Sequence, residues 1–377
     1  MNIPMLHIGN LEVKLPIIQG GMGVGISLSG LASAVANEGG IGVISTSGIG
    51  MLEPDFRIDF ASANERALRR EIRQAKKSSR GIIGVNVLVA LSDYLNLVKV
   101  ALEEGVDAIF LGAGLPLRFP DNFISSVKTK IIPIVSSARA LKLIFQYWVK
   151  HYQRIPDAVV VEGPLAGGHL GFKKEQLDDP AYALESIVPE VLAAVHTFEN
   201  EIGRKVPVIA AGGIFTGEDI YRYLQMGAGG VQMATRFVAT EECDASLAFK
   251  QAYINCAKED LVIIDSPVGL PGRAISNQFL EAVKAGQKQP FKCNWACLRT
   301  CDCVNAPYCI CDALTNAKKG HLNDGFAFAG ANAYRVNSIT TVKELLQTLI
   351  SEYKAAAGKK LIRDYVDNAG QISLQPV

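Results

Sequence analysis

Neither sign of charge is in excess: the 377-residue chain carries 38 Lys and Arg against 37 Asp and Glu. A protein that grips nucleic acid through its phosphates needs a clear surplus of cations, so sequence-independent nucleic-acid binding is excluded as its main task. Long hydrophobic runs are missing too. No segment reaches the roughly 20 unbroken apolar residues of a membrane helix, and no membrane partner is expected. Met1–Asn10 lack a basic start followed by an apolar stretch, so no signal peptide is read and a cytoplasmic location is expected. Cysteine is absent before Cys243, and the eight in the chain are expected to be thiols or metal ligands, not disulfides.

Apolar residues and glycine are plentiful. Hydrophobic residues make up 49% of the chain and charged ones 20%, enough for a large core and too apolar for intrinsic disorder. Short β-branched runs recur, each ending in a small or polar residue: Leu15–Gln19, Ile41–Thr46, Ile82–Val89, Ala108–Gly112, Ile131–Ser136, Ala158–Glu162, Val206–Ala210 and Gly230–Thr235. They are continuous, without alternation, as strands buried on both faces of a parallel sheet should be. Helical patterns separate them at Leu28–Glu38, Asn64–Arg80, Tyr94–Glu104, Ala138–His151, Ala181–Glu201 and Gly217–Met226, and Asp244–Ala257 follows the last strand. The alternation predicts an α/β fold, a (β/α)8 TIM barrel, with an open doubly wound sheet as the runner-up. Residues 1–280 are assigned to the barrel and 281–377 to a C-terminal cysteine-rich extension with a terminal helix over Thr341–Ala357. No low-complexity linker intervenes, so the extension is expected to pack on the barrel.

Barrel enzymes carry their sites at the C-terminal ends of the strands. Here those ends are rich in glycine, which lets backbone approach a ligand closely. Gly212-Gly213 and Met233-Ala234-Thr235 follow the seventh and eighth strands, where such folds often bind phosphate, and Thr216 caps the helix that comes next. A lone Gly-Gly is a tight turn; both loops together point to an anion. GPLAGGHLG (Gly163–Gly171) places His169 on a loop of small residues, and imidazole suits proton transfer near neutral pH. A single His is more often a satisfied side chain, but here small neighbours leave the ring open to a ligand. His7, His151, His196 and His321 sit in ordinary contexts and are read as structural, and Trp148 and Trp295 as packing residues.

The motifs PIIQGGMG (Pro16–Gly23), GVNVLV (Gly84–Val89), GAGLP (Gly112–Pro116), EGPLAGGHLG (Glu162–Gly171), PVIAAGGI (Pro207–Ile214) and GVQMATRF (Gly230–Phe237) occur in this order. With SPVGLPGRA (Ser266–Ala274), the set resembles the FMN-dependent barrel family of nitronate monooxygenases (once called 2-nitropropane dioxygenases), which is related to the flavin-type enoyl-acyl-carrier-protein reductases. The resemblance covers residues from about 4 to 280. It implies that Met22 and Gly23 line the flavin edge. Asn86 and Ser136 would bond the ring or ribityl chain, and Ala166, Gly167 and Gly168 would approach through backbone. Gly212, Gly213, Met233, Ala234 and Thr235 would cradle the phosphate, although the family often has Gly where Ala234 stands. His169 would be the catalytic base or the polar group next to the substrate.

Two activities fit that resemblance: oxidation of alkyl nitronates or nitroalkanes with O2, which is preferred, and NAD(P)H-dependent reduction of an enoyl-acyl-carrier protein or a flavin/quinone-type acceptor. NAD(P)H would then be a co-substrate and an acidic acyl-carrier protein a partner. Otherwise the partner is a small-molecule substrate, and a homodimer stays open. Readings of other classes are a flavin-free phosphate-binding barrel and a non-catalytic sensor. The barrel dehydrogenases of purine nucleotides need a catalytic Cys on an early loop, which this chain lacks.

Two features stand outside that scheme. Six cysteines cluster at Cys293, Cys297, Cys301, Cys303, Cys309 and Cys311. The spacing matches neither a paired zinc motif nor a ferredoxin run, so an Fe-S or Zn site competes with a merely thiol-rich loop and no metal ligands are assigned. Cys243 and Cys256 read as core thiols. Arg66, Arg69, Arg70, Arg73, Lys76, Lys77 and Arg80 form a basic run, interleaved with Glu65 and Glu71, that reads as a solvated helix face or, less simply, an acidic-partner site.

Overall fold

The structure is a computed structural model that describes residues 3–119, 128–287, 291, 293 and 295–372, the last twelve as backbone only. Eight parallel strands close into a barrel: β1 Ile17–Gln19, β2 Ile41–Ser45, β3 Ile82–Leu88, β4 Ala108–Gly112, β5 Lys130–Val135, β6 Val159–Glu162, β7 Val208–Ala211 and β8 Gly230–Met233. Each pairs with the next, and β8 closes on β1 through the register Gln232 opposite Ile18, so the open doubly wound sheet is excluded.

Both faces of every strand are buried, which is why the runs do not alternate. Ile18, Val43, Phe110, Ile132, Val160 and Ile209 form an inner cluster. Ile17, Ile44, Ile109, Val135, Val161 and Val208, the intervening positions, join a second cluster under the helices. Each fully buried aliphatic side chain contributes about 1.5–3 kcal/mol, so this double layer dominates the stabilising terms. The helices are α1 Ser29–Asn37, α2 Phe60–Ser78, α3 Tyr94–Glu103, α4 Ala138–Tyr152, α5 Leu184–Ile202 and α6 Gly217–Gln225, with a four-residue α7, Thr235–Val238, after β8. Among the described residues none lies between β4 and β5. An N-terminal hairpin that the sequence reading passed over, Leu6–Ile8 with Leu11–Val13, adds Leu6, Ile8 and Val13 to the inner cluster. No helix among the described residues is long and apolar enough to cross a membrane.

The basic run on α2 meets acids of its own chain. Arg69 pairs with Glu65, Glu103 and Glu104, Arg73 with Glu104, Arg66 with Asp55, and Arg70 with Glu53. Lys76 Nζ donates to the carbonyls of Glu104 and Gly105. The solvated-face reading is the one this pairing favours.

After α7 the chain forms α8 Leu247–Ile254, a hairpin of β9 Leu261–Asp265 and β10 Pro271–Ile275, then α9 Gln278–Lys284, α10 Ile310–Lys319 and α11 Val342–Ile372. This tail packs on the barrel. Phe279, Tyr308, Ile310 and Phe326 build a separate apolar cluster with Val24 and Met51, from the segments over the strand ends, and Phe60 at the start of α2. At the other end, Leu345, Leu346, Leu349 and Tyr353 of α11 are buried in the main core. The α11–α6 contact is close: a Cβ on Gly217 would fall inside contact distance of Leu349 O and Tyr353 N, and Glu352 accepts a bond from Gly217 N at 2.7 Å. Gly217→Ala is therefore expected to cost about 1–3 kcal/mol through overpacking, seen as a lower melting temperature. An unchanged melting curve would contradict this docking.

Candidate active site

The last inward-facing position of each strand sits at the mouth of the barrel. On β6, Ala158 and Val160 belong to the inner cluster, so parity turns Glu162 inward above them. The same parity brings Asn86 on β3 and Gln232 on β8 to this layer, with Ser136 just beyond β5. Asn86 is buried and its Nδ2 donates to Phe110 O at 3.3 Å. Gly20 N donates to Met233 O at 2.8 Å, tying the β1 loop to β8. Met22 is clasped by Ser27, its N–H donating to Ser27 Oγ at 2.9 Å. A Cβ on Gly23 would lie 2.5 Å from Ser47 Cβ, and the Gly23–Val24 peptide bond is cis. A Cβ on Gly171 would strike Ser136 Oγ, so the end of the His169 segment runs against β5.

The segment carrying His169 is not an open loop. Gly168–His169 form a short strand paired with β10, Gly272 opposite His169 and Arg273 opposite Gly168. The ring is held as well. Its Nε2 lies 2.7 Å from Ser266 Oγ, and Phe328 packs edge-on with centroids 4.9 Å apart. Nδ1 has no hydrogen-bond partner among the described residues. Burial lowers the imidazole to about 4, so it is neutral at pH 7. Burial also pushes the Glu162 carboxyl up to about 7, with no cation beside it to offset the shift. Two titratable groups are thus displaced in opposite directions at one mouth, a pattern typical of working sites.

The loops after β7 and β8 make a donor-lined crevice. Gly212 and Gly213 have φ of +91° and +90°, which side chains rarely adopt. Space forbids them too: a Cβ would come within 2.7 Å of Gly163 O at Gly212 and 2.9 Å of Leu165 at Gly213. The N–H groups of Gly213, Ile214 and Ala234 donate to no group of the chain among the described residues. Ile214 is buried and Gly213 and Ala234 are half-buried, so donors left without a partner here fit an anion. The N-terminus of α6 is not part of it. Asp219 Oδ2 takes the N–H groups of Phe215 and Thr216 at 3.0 and 2.9 Å, and Glu352 takes that of Gly217. The expected capping by Thr216 is there, but it closes the helix end to a phosphate instead of offering it.

A family model described as nitronate monooxygenase matches residues 5–352. The chain belongs to the nitronate monooxygenase family. It is thereby an enzyme, an oxidoreductase of a flavin-dependent family. A probable nitronate monooxygenase of Staphylococcus saprophyticus is 26% identical over 298 residues, covering 72% of this chain and 78% of the relative. The (3aS,4S,5R,7aS)-5-hydroxy-7a-methyl-1-oxo-octahydro-1H-indene-4-carboxyl-CoA dehydrogenase of Mycobacterium tuberculosis is 27% identical over 281 residues, 74% of this chain and 68% of that one. Among solved structures, FabK from Thermotoga maritima has a TM-score of 0.72 at 27% identity and covers 94% of this chain and 96% of its own. A nitroalkane oxidase from Streptomyces ansochromogenes shares the fold, with a TM-score of 0.69 at 21% identity over 92% and 97% of the two chains.

Glu162, Gln232, Ser266 and Phe328 are mouth residues that the sequence reading left unassigned. Strand parity would have found the first two; Ser266 opens the SPVGLPGRA motif, and no local signal marks Phe328. Cys297, Cys309 and Cys311 are buried, and the sulfurs of Cys297 and Cys311 lie 3.4 Å apart as free thiols. Among the described residues no three His, Cys, Asp or Glu side chains are placed to hold a metal ion, so an Fe-S or Zn site gains no support. Cys243 and Cys256 are buried thiols.

The Glu162 shift has a measurable sign. Its folded value lies above the unfolded one, so ionisation weakens the fold as pH rises from about 4.5 through about 7. Glu162→Gln apoprotein should melt like the parent near pH 4 and at a higher temperature at pH 8. Equal melting at both pH values would show a fully solvated carboxylate.

Proposed function

We propose that the protein is an FMN-dependent oxidase of alkyl nitronates and nitroalkanes with His169 as its base. The observation that carries this reading is the donor-lined crevice at Gly213, Ile214 and Ala234, one rim away from a neutral, half-buried imidazole. FMN fits that crevice by the chemistry of its donors: several backbone N–H groups without partners, in space that a Cβ would fill. Gly212, Gly213, Met233, Ala234 and Thr235 would hold the phosphate. Met22, Gly23, Asn86, Ser136 and Ala166–Gly168 would lie along the ring and ribityl chain. Bound FMN supplies the electron-accepting chemistry that the side chains lack.

The chain's own part is orientation and proton transfer. A neutral nitroalkane must lose its α-proton, the electron pair moving onto the nitro oxygens. With Nε2 bonded to Ser266, Nδ1 is the nitrogen left to take that proton. Nε2 must then carry hydrogen and donate to Ser266 Oγ, a role the hydroxyl can accept. The base stays neutral down to about pH 4. Gln232 and Asn86 present amides at the floor of the mouth, and Phe328 walls one side of the imidazole.

Enoyl reduction with NAD(P)H is the second reading, favoured by the likeness to FabK from Thermotoga maritima. The internal pairing of the α2 arginines leaves less free charge there for an acidic carrier protein. Anaerobic mixing of the FMN-loaded protein with propyl nitronate, NADH and NADPH in parallel separates the two. Fast bleaching by the nitronate is expected, and bleaching by a nicotinamide alone would reverse the assignment. His169→Ala should retain FMN and lose about 10²–10⁴-fold on a neutral nitroalkane, while the preformed nitronate, needing no base, is turned over as before. Unchanged turnover of the nitroalkane would remove the role given to His169.

A further inference from the structure

The crevice after β7 and β8 has a fourth wall that does not come from the barrel. Residues Ala329–Asn332, between the apolar cluster of the tail and α11, run across the ends of β6, β7 and β8. Ala331 N donates to Leu165 O at 3.1 Å. Asn332 Nδ2 donates to Gly213 O at 2.7 Å. Arg273 Nη1 donates to Pro164 O and Ala166 O at 2.7 and 2.6 Å, and Ala329 N donates to Arg273 O at 3.0 Å. The fit is tight enough to dictate two glycines. A Cβ on Gly167 would lie 2.5 Å from Ala329 C and 2.6 Å from Gly330 N, and one on Gly330 would lie 2.6 Å from Thr235 Oγ1.

Gly330 is buried, and its N–H donates to no group of the chain among the described residues. An unpaired donor buried in protein is destabilising, a cost the fold has reason to carry only where a ligand offsets it. The neighbours of this donor, Thr235 and Gly167, are residues of the crevice itself. We infer that the Ala329–Asn332 segment completes the cofactor-phosphate site, with the Gly330 N–H donating to the phosphate and Asn332 fixing Gly213 through its carbonyl. The inference rests on the FMN reading and adds to it a binding contribution from outside the barrel. Asp219 and Glu352 already take the N–H groups of Phe215, Thr216 and Gly217 at the start of α6, and the tail adds a donor from a different stretch of chain.

Binding of FMN and of riboflavin, which lacks the phosphate, tests this on the full-length apoprotein by quenching of flavin fluorescence. Gly330→Val crowds Thr235, and Asn332→Ala removes only the bond to Gly213. Each is expected to weaken FMN about tenfold or more and to leave riboflavin within about twofold, so that the preference for FMN shrinks. Asn332→Ala keeps the test alive if the bulkier variant folds poorly. If the parent prefers FMN and both variants keep that preference in full, the tail has no part in phosphate binding and the inference falls while the FMN reading stands. If the parent binds neither flavin, the FMN reading falls first and takes the inference with it.

Discussion

Unpaired backbone donors at one rim of the barrel are the constraint around which this structure is arranged. The N–H groups of Gly213, Ile214, Ala234 and Gly330 come from three separate stretches of chain and find no acceptor among the described residues. Grouping them requires close backbone approach, and the glycines at 167, 212, 213 and 330 each stand where a Cβ would meet backbone or side chain. An anion satisfies all of them at once, whereas water would satisfy each singly. That difference is the argument for the proposed phosphate site over a mere set of turns.

The tail gives the mouth its second character. Its apolar cluster, around Phe279, Tyr308 and Phe326, sits over loops from β1 and β2 through Val24 and Met51. The same layer delivers Ser266 to the His169 imidazole and Phe328 to its edge. Removal from water then drives the two titratable groups apart: an imidazole kept neutral and a carboxyl that titrates near pH 7. In the proposed reading, cofactor grip and proton chemistry both depend on one packing event, the docking of residues beyond the barrel onto its strand ends.

Much of this was legible in the sequence. The eight strands were marked by unbroken apolar runs because both faces are buried, and their ends by small residues because the chain must turn there. The ordered motifs pointed to the family that the matching model establishes. Other features had no local mark. The pairing of Gly168–His169 with β10 joins residues about a hundred positions apart, and no pattern around His169 announces it. Ser266 and Phe328 reach the ring through tertiary packing alone. The N-terminus of α6 looked available because Thr216 and Asp219 are good capping residues, yet good capping is what uses up its donors. Glu162 could have been placed by counting inward from Val160. The Leu6–Val13 hairpin could likewise have been read from its Gly9-Asn10 turn.

The central claim is that a flavin phosphate occupies the N–H cluster at the ends of β7 and β8. Its most direct test is the absorption spectrum of the protein as purified, with chromatography of whatever acid releases. A flavin spectrum and close to one FMN per chain are predicted. A colourless protein that takes up no added FMN would contradict the account.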